Sequence, residues 1–326
     1  IKALVGGQLE IGVLGFSNAF TWASQGADLK IVGGAQHGYH SLVVRDDAGI
    51  ATLSDLRGAS LASQKEGSTA DIVLKGVLLP EAGLTANDLN IVGVDPAVAV
   101  QSLVGGRVDA AFLFEPYDRI AQLVAPVTQI YEIGHVWPFP CMVVITSGAV
   151  LAERREAVWA ALDAQAEATA LLEDEPERAA ALIAPYFIAE PTLQTLEQGA
   201  LPREQIILEA ILTQTFSSVL TRTEVERMKE LAAIMQDQGV LELRGDAESL
   251  DVDALLDLSW QEARGLSAEM LIGFGQGIGR SLAYSGEIAD MSGVLANIVV
   301  IAVLAALIDQ VALERLKRRL LRYRYV

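Results

Sequence analysis

Val108-Asp109-Ala110-Ala111-Phe112-Leu113-Phe114-Glu115-Pro116 is the stretch on which the reading of the fold turns. Its apolar run to Leu113 predicts a buried strand, and Pro116 ends it. Just upstream, Pro96 opens a helix that runs to Val104, where Gly105-Gly106 closes it. A helix shut by glycines and followed at once by an apolar strand is half of a βαβ unit.

The same alternation extends outward. Leu9-Glu10-Ile11-Gly12-Val13-Leu14 predicts a strand, turned by Gly15 through Asn18. Further strands are expected at Leu29-Lys30-Ile31-Val32-Gly33, Ser41-Leu42-Val43-Val44-Arg45, Ser60-Leu61-Ala62-Ser63 and Asn90-Ile91-Val92-Gly93-Val94. Ser54-Asp55-Leu56 reads as a short helix start with Ser54 as its cap. Gly67-Ser68-Thr69 opens a helix running to near Leu79. Strands separated by helices of about 10–15 residues predict an α/β fold with mainly parallel sheets. From Leu151 to Arg264 the pattern is nearly all helix, with Pro176 at a first helical position and Gly239 as a stop. Ile1-Lys2-Ala3-Leu4 reads as the end of an amphipathic helix stopped by Gly6-Gly7, so the chain is expected to continue upstream.

Composition adds a conflict. The net charge is −18, yet hydrophobic residues make up 52% of the 326 positions. The charge divides unevenly. Residues 266–326 carry seven Lys+Arg and five acids, while residues 1–265 carry 17 and 37. The acidic body excludes a nucleic-acid binder that works by bulk phosphate attraction. One cysteine, Cys141, excludes an internal disulfide framework and a multi-thiolate metal site. In the tail, 291–308 is uncharged and long enough to span about 27 Å as a helix. Six bases follow between Arg315 and Arg324, which predicts a membrane helix with a cytoplasmic C-terminus. A buried helix of a soluble domain is the alternative. The glycine-rich run Gly273-Phe274-Gly275-Gln276-Gly277-Ile278-Gly279 has neither dinucleotide nor Walker spacing.

Two resemblances follow from these residues. Ala3-Leu4, Leu9-Glu10-Ile11-Gly12, Gly49-Ile50, Asp55-Leu56-Arg57-Gly58, Gly67-Ser68-Thr69, Ala99-Val100 and Val108-Asp109-Ala110 through Glu115-Pro116 resemble the substrate-binding proteins of ABC importers for nitrate, sulfonates, taurine and a thiamine pyrimidine precursor. Residues 267–326 resemble the C-terminal end of the partner permease, through Ala268-Glu269-Met270, Gly277-Ile278-Gly279 and the basic ending. The resemblance implies a periplasmic-binding-protein type II fold of two lobes with an incomplete first lobe, followed by one transmembrane helix. Lobe one is expected at 1–42 and 143–262, and lobe two at 43–142, with Ser41 to Arg45 and Met142 to Thr146 as hinge strands. The implied partners are a small-molecule solute, the permease and ATPase subunits, and the membrane through the C-terminal helix. The implied place is periplasmic, and no cofactor, metal or catalytic residue is expected.

Candidate ligand contacts come from strand ends and helix starts. Phe16, Ser17 and Asn18 follow the first strand, where an ordinary turn is the alternative. Trp22 is a stacking wall or a core residue. Gln36 and His37 follow Gly33-Gly34, and His37 with His40 lacks a third metal ligand. Gly67, Ser68 and Thr69 offer helix-start N–H groups to an anion or a carbonyl oxygen, or form a plain cap. The resemblance places Glu115 facing the cleft, where it is expected to accept from an amine or ring N–H, or it is structural, and a carboxylate there disfavours a bare anion. Tyr117, within Glu115-Pro116-Tyr117, belongs to the same loop, and Phe139 walls the cleft beside Cys141. The expected function is capture of a small organic solute for a permease. Two alternatives stand beside it: an enzyme related to pyrimidine-precursor synthases, which needs a cysteine-rich segment, and a partial fusion product.

Overall fold

The computed structural model describes residues 1–244 and 247–266. The strands in chain order are β1 (Ile11–Gly15), β2 (Lys30–His37), β3 (Ser41–Arg45), β4 (Ser60–Ser63), β5 (Asn90–Gly93), β6 (Ala110–Leu113), β7 (Val127–Glu132), β8 (Pro140–Thr146), β9 (Thr192–Gln194) and β10 (Ala200–Pro202). They form a three-stranded sheet β1-β8-β2, a five-stranded sheet β5-β4-β6-β3-β7, and a hairpin of β9 with β10.

The expectation of mainly parallel sheets does not hold. Among the described residues, only the β4–β5 and β4–β6 strand pairs are parallel. The β1–β8, β2–β8, β3–β6 and β3–β7 pairs are antiparallel. Parallel neighbours need a crossover, and helices supply one on each side of β4. One crossover contains Thr69–Val73, and the other contains Pro96–Val104. By contrast β3 enters directly from β2, and β8 returns from β7, each without a crossover helix of that length.

The chain passes between the two sheets at residues 38–40 and 133–139. Both segments expected as hinge strands are hydrogen-bonded within a sheet, with β8 as the centre of its own. Strand β3 is buried along Ser41 to Val44, and β6 along its whole length, because helices cover both faces of this sheet.

Local chemistry shifts other boundaries. Gly15 through Asn18 is no turn, since a helix begins at Phe16 and runs to Ser24. Thr52, not Ser54, caps the short helix Leu53–Leu56. Its hydroxyl donates to Asp55 Oδ2 at 2.9 Å while the same carboxylate accepts the Thr52 N–H at 2.8 Å. The helix opened by Thr69 changes to a π turn at Leu74–Leu78 before Leu79–Glu81. The nearly all-helical reading from Leu151 to Arg264 misses β9 and β10. The span expected at 291–308 and the permease-like segment 267–326 lie outside the described residues. Among the described residues, no helix is long and apolar enough to cross a membrane.

Candidate functional site

A row of rings runs between the two sheets. Phe16 meets Phe139 edge to face at 6.2 Å between centroids, and Phe139 stacks on His40 at 6.4 Å. His40 meets Phe114 at 5.8 Å, and Phe114 meets Tyr117 at 5.4 Å. Phe16 opens the helix after β1, Phe139 precedes β8, and Phe114 follows β6. The row therefore links the three-stranded sheet to the five-stranded one, and Phe16 and Phe139 are completely buried in it.

Polar groups stand at both ends of this row. At the Phe16 end, the buried Ser17 and Thr69 hydroxyls share a hydrogen bond of 3.1 Å. Thr69 also bonds to Cys141. Burial pushes the Cys141 thiol up to about 12, and the Thr69 bond offsets only part of that. The Gly67 loop differs from its expected role. Gly67 has φ of 76°, which demands glycine, but its N–H already donates to Asp71 Oδ2 at 3.0 Å. Ser68 Oγ accepts the Asp71 N–H at 3.2 Å, so it caps the helix. The buried Asp71 carboxylate is in turn paired with Lys75 Nζ at 2.7 Å.

At the Phe114 end, Thr213 Oγ1 donates to Glu115 Oε1 at 2.9 Å. Burial first, then the charge of Asp118, pushes the Glu115 carboxyl up to about 8. Asp118 is wholly buried in the first turn of the helix Tyr117–Val124. Burial and then Asp118 raise the Tyr39 hydroxyl as well, with smaller contributions from Glu115 and Glu132. Glu132 is raised by burial, although its two oxygens accept the Gly134 and His135 N–H groups at 2.6 and 2.9 Å. His40, closed in by rings, is driven down to about 4 and is neutral.

The segment after Thr213 carries this end across to β2. Gln36 Nε2 donates to Gln214 Oε1, and the His37 N–H donates to Thr215 O at 3.0 Å. The His37 ring then reaches Glu224 Oε1 at 2.9 Å, away from His40, so the two histidines do not share a ligand position. Trp22 is half-buried against the main core, and Asn18 is exposed. Thus Phe16, Ser17, Thr69, Glu115, Tyr117 and Phe139 lie along one row. Gln36 lies at its acidic end, and Trp22 faces the core. Sequence reasoning missed Asp118, Thr213 and Tyr39. Among the described residues, no group of His, Cys, Asp and Glu is arranged to hold a metal ion.

The family model described as NMT1/THI5 like matches residues 1–179. The chain belongs to the NMT1/THI5-like family. A Brucella abortus protein described as a binding protein is 25% identical over 191 residues, covering 57% of this chain and 58% of that one. An Escherichia coli K12 protein described as an aliphatic sulfonates-binding protein is 30% identical over 125 residues, 38% of this chain and 39% of its own length. The chain thus spans well under two thirds of these relatives. Among solved structures, the periplasmic aliphatic sulphonate binding protein SsuA of Escherichia coli superposes with a TM-score of 0.66 at 20% identity, covering 80% of this chain and 83% of that one. The desulfurization enzyme DSZB superposes with a TM-score of 0.53 at 14% identity, over 78% of this chain and 84% of its own. At such identities these structures show a shared fold. It is the α/β fold of periplasmic binding proteins.

Proposed function

We infer that the chain is the solute-binding component of an ABC importer. It captures a small organic solute, such as a sulfonate, taurine, a pyrimidine or a similar heteroaromatic, between two lobes. The lobes are 1–42 with 143–262, and 43–142. The observation that carries this reading is the pair of hydrogen bonds across the ring row. Ser17 to Thr69 and Thr213 to Glu115 each join one lobe to the other. Such bonds form only when the lobes are closed, and a solute lodged among the rings adds contacts to both sides, which favours closure. The described relatives support the reading, being named as binding proteins. Delivery to a permease at the extracytoplasmic face, with the 291–308 run as a tether, completes the proposal.

An enzymatic reading draws on the fold shared with DSZB. It is weakened by Cys141, whose thiol is held up to about 12 and is no nucleophile at neutral pH. A thermal-shift screen tests solute capture. A ligand at a hundred times its Kd adds about 2.7 kcal/mol and should raise Tm by roughly 5–10 °C. Absence of any shift across sulfonates, amines and small heteroaromatics, on protein with a cooperative melt, would count decisively against it.

A further inference from the structure

We propose that residues 175–213 act as a strap that holds the two lobes shut from the side of the helix Tyr117–Val124. The proposal rests on the solute-binding reading for the division into lobes, and it adds what sets their closure.

The two faces of the five-stranded sheet meet lobe one differently. Successive side chains of β3 alternate between the faces. Leu42 and Val44 join a core that continues through Ile72 to Met228 and Leu231, on the lobe-one helix Arg222–Asp237. Val43 packs on the opposite face with Leu103 and Ala121, in a core drawn from lobe two. One face is therefore held to lobe one by continuous apolar packing. The other face is covered by its own helices, Pro96–Val104 and Tyr117–Val124.

An excursion of the lobe-one chain bridges this second face. The helix Gly148–Asp174 is anchored on β2, where Gln165 Nε2 donates to Gly34 O at 2.7 Å. Its far end, at Leu171 and Leu172, carries the helices Pro176–Phe187 and Arg203–Thr213. The chain is tied back to β2 beyond them, where the Ser217 N–H donates to Ala35 O at 3.2 Å. Between these anchors Leu201 and Ile206 close over Leu123, and all three are buried. Ile120 packs both in this cluster and in the lobe-two core. The Leu196 N–H donates to Leu123 O at 2.9 Å, so the strap takes a carbonyl that the end of a helix leaves free. Arg119 Nε donates to Glu209 Oε2 at 2.6 Å, but both side chains are about one-third exposed and the ion pair contributes little. The apolar contact dominates. Leu123 lies about 9 Å along its helix from Tyr117, so the strap acts at a distance from the ring row. Parting the lobes on this side strips Leu123, Leu201 and Ile206 of their cover. Burying one leucine shifts such an equilibrium by about ten- to a hundredfold.

Spin-label distances on the full chain, without solute, test the strap. One label pair, at Asn87→Cys and Ala157→Cys, spans the two lobes. A second pair, at Asn87→Cys and Glu177→Cys, spans lobe two and the strap. All three positions are exposed, whereas the native Cys141 thiol is held up to about 12 and resists labelling. Leu201→Asp sets a charge against Leu123. It should raise the open-to-closed ratio read by the first pair at least tenfold, and the second pair should lengthen in step. Should Leu201→Asp lack a cooperative melt, Leu123→Ala loosens the same contact from lobe two and carries the same expectation. Two distances whose ratio changes less than tenfold in a folded variant overturn the strap and leave lobe closure standing. A second-pair distance that stays fixed while the first lengthens also overturns it, since residues 175–213 then move with lobe two. One distance common to parent and variant means that the lobes do not part, and it takes down both the strap and closure around a solute.

Discussion

Ser17 Oγ and Thr69 Oγ1 lie 3.1 Å apart, joining the helix that follows β1 to the helix that follows β4. Both hydroxyls are out of water, so removing one deprives the other of this partner. Thr69→Val is expected to cost about 1–3 kcal/mol, and Ser17→Ala a similar amount. The double variant should cost less than the two singles together, with a coupling of about 1 kcal/mol. Urea unfolding midpoints of the four proteins measure this. Strict additivity would show that the two groups do not depend on each other.

Gly38 sits where β2 leaves for β3, and its N–H donates to Phe139 O at 2.6 Å. A Cβ built there would lie 2.2 Å from two Phe139 ring atoms. The ring has nowhere to go, since Phe16 and Trp137 flank it at 6.2 and 5.8 Å between centroids. Gly38→Ala is therefore expected at or above the upper end of the ~1–3 kcal/mol seen for overpacking. Phe139→Leu alone should also destabilise, by leaving a void. Added to Gly38→Ala, however, it should raise Tm above that of the single alanine variant. A further fall in Tm would sink the steric account.

The parts of this molecule that sequence makes legible are those whose causes are local. Pro96 and Gly105-Gly106 bound one helix, and the Pro96–Val104 element follows them to the residue. Other features depend on contacts distant in the chain. Strand β8 is central only because β1 and β2 flank it, more than a hundred residues upstream. Asp118 in the first turn of a helix reads as a solvated partner of the helix dipole, and tertiary packing alone buries it. Thr213 ends its helix and lies 98 residues from Glu115 in sequence, so no spacing pairs them. His40 and His37, three residues apart, suggest a shared ligand. The crossing between sheets sends one into the ring row and the other to Glu224. Glu115 itself stands out in sequence, as an acid between an apolar strand and a proline.

His40 and Glu115 make opposite demands on pH. His40 has a folded value of about 4 against about 6.5 when free, so only the unfolded chain takes its proton in between. Its contribution is whole above about pH 6.5 and is lost as pH falls through about 4, reaching about 3 kcal/mol. Glu115 has a folded value of about 8 against 4.5, so the unfolded chain gives up the proton first. Its contribution is whole below 4.5 and is lost as pH rises towards 8. Between about 4.5 and 6.5 the two slopes oppose each other and largely cancel, and above about 6.5 the Glu115 slope stands alone. Glu115→Gln should therefore gain stability over the parent progressively from about pH 5 to 8, while His40→Phe should gain only below about 6.5. Urea unfolding of parent and variants at half-unit pH steps gives the two difference curves. A flat curve for Glu115→Gln would mean that its carboxyl is not held protonated in the folded protein, and a flat curve for His40→Phe would mean that the ring does not resist its proton.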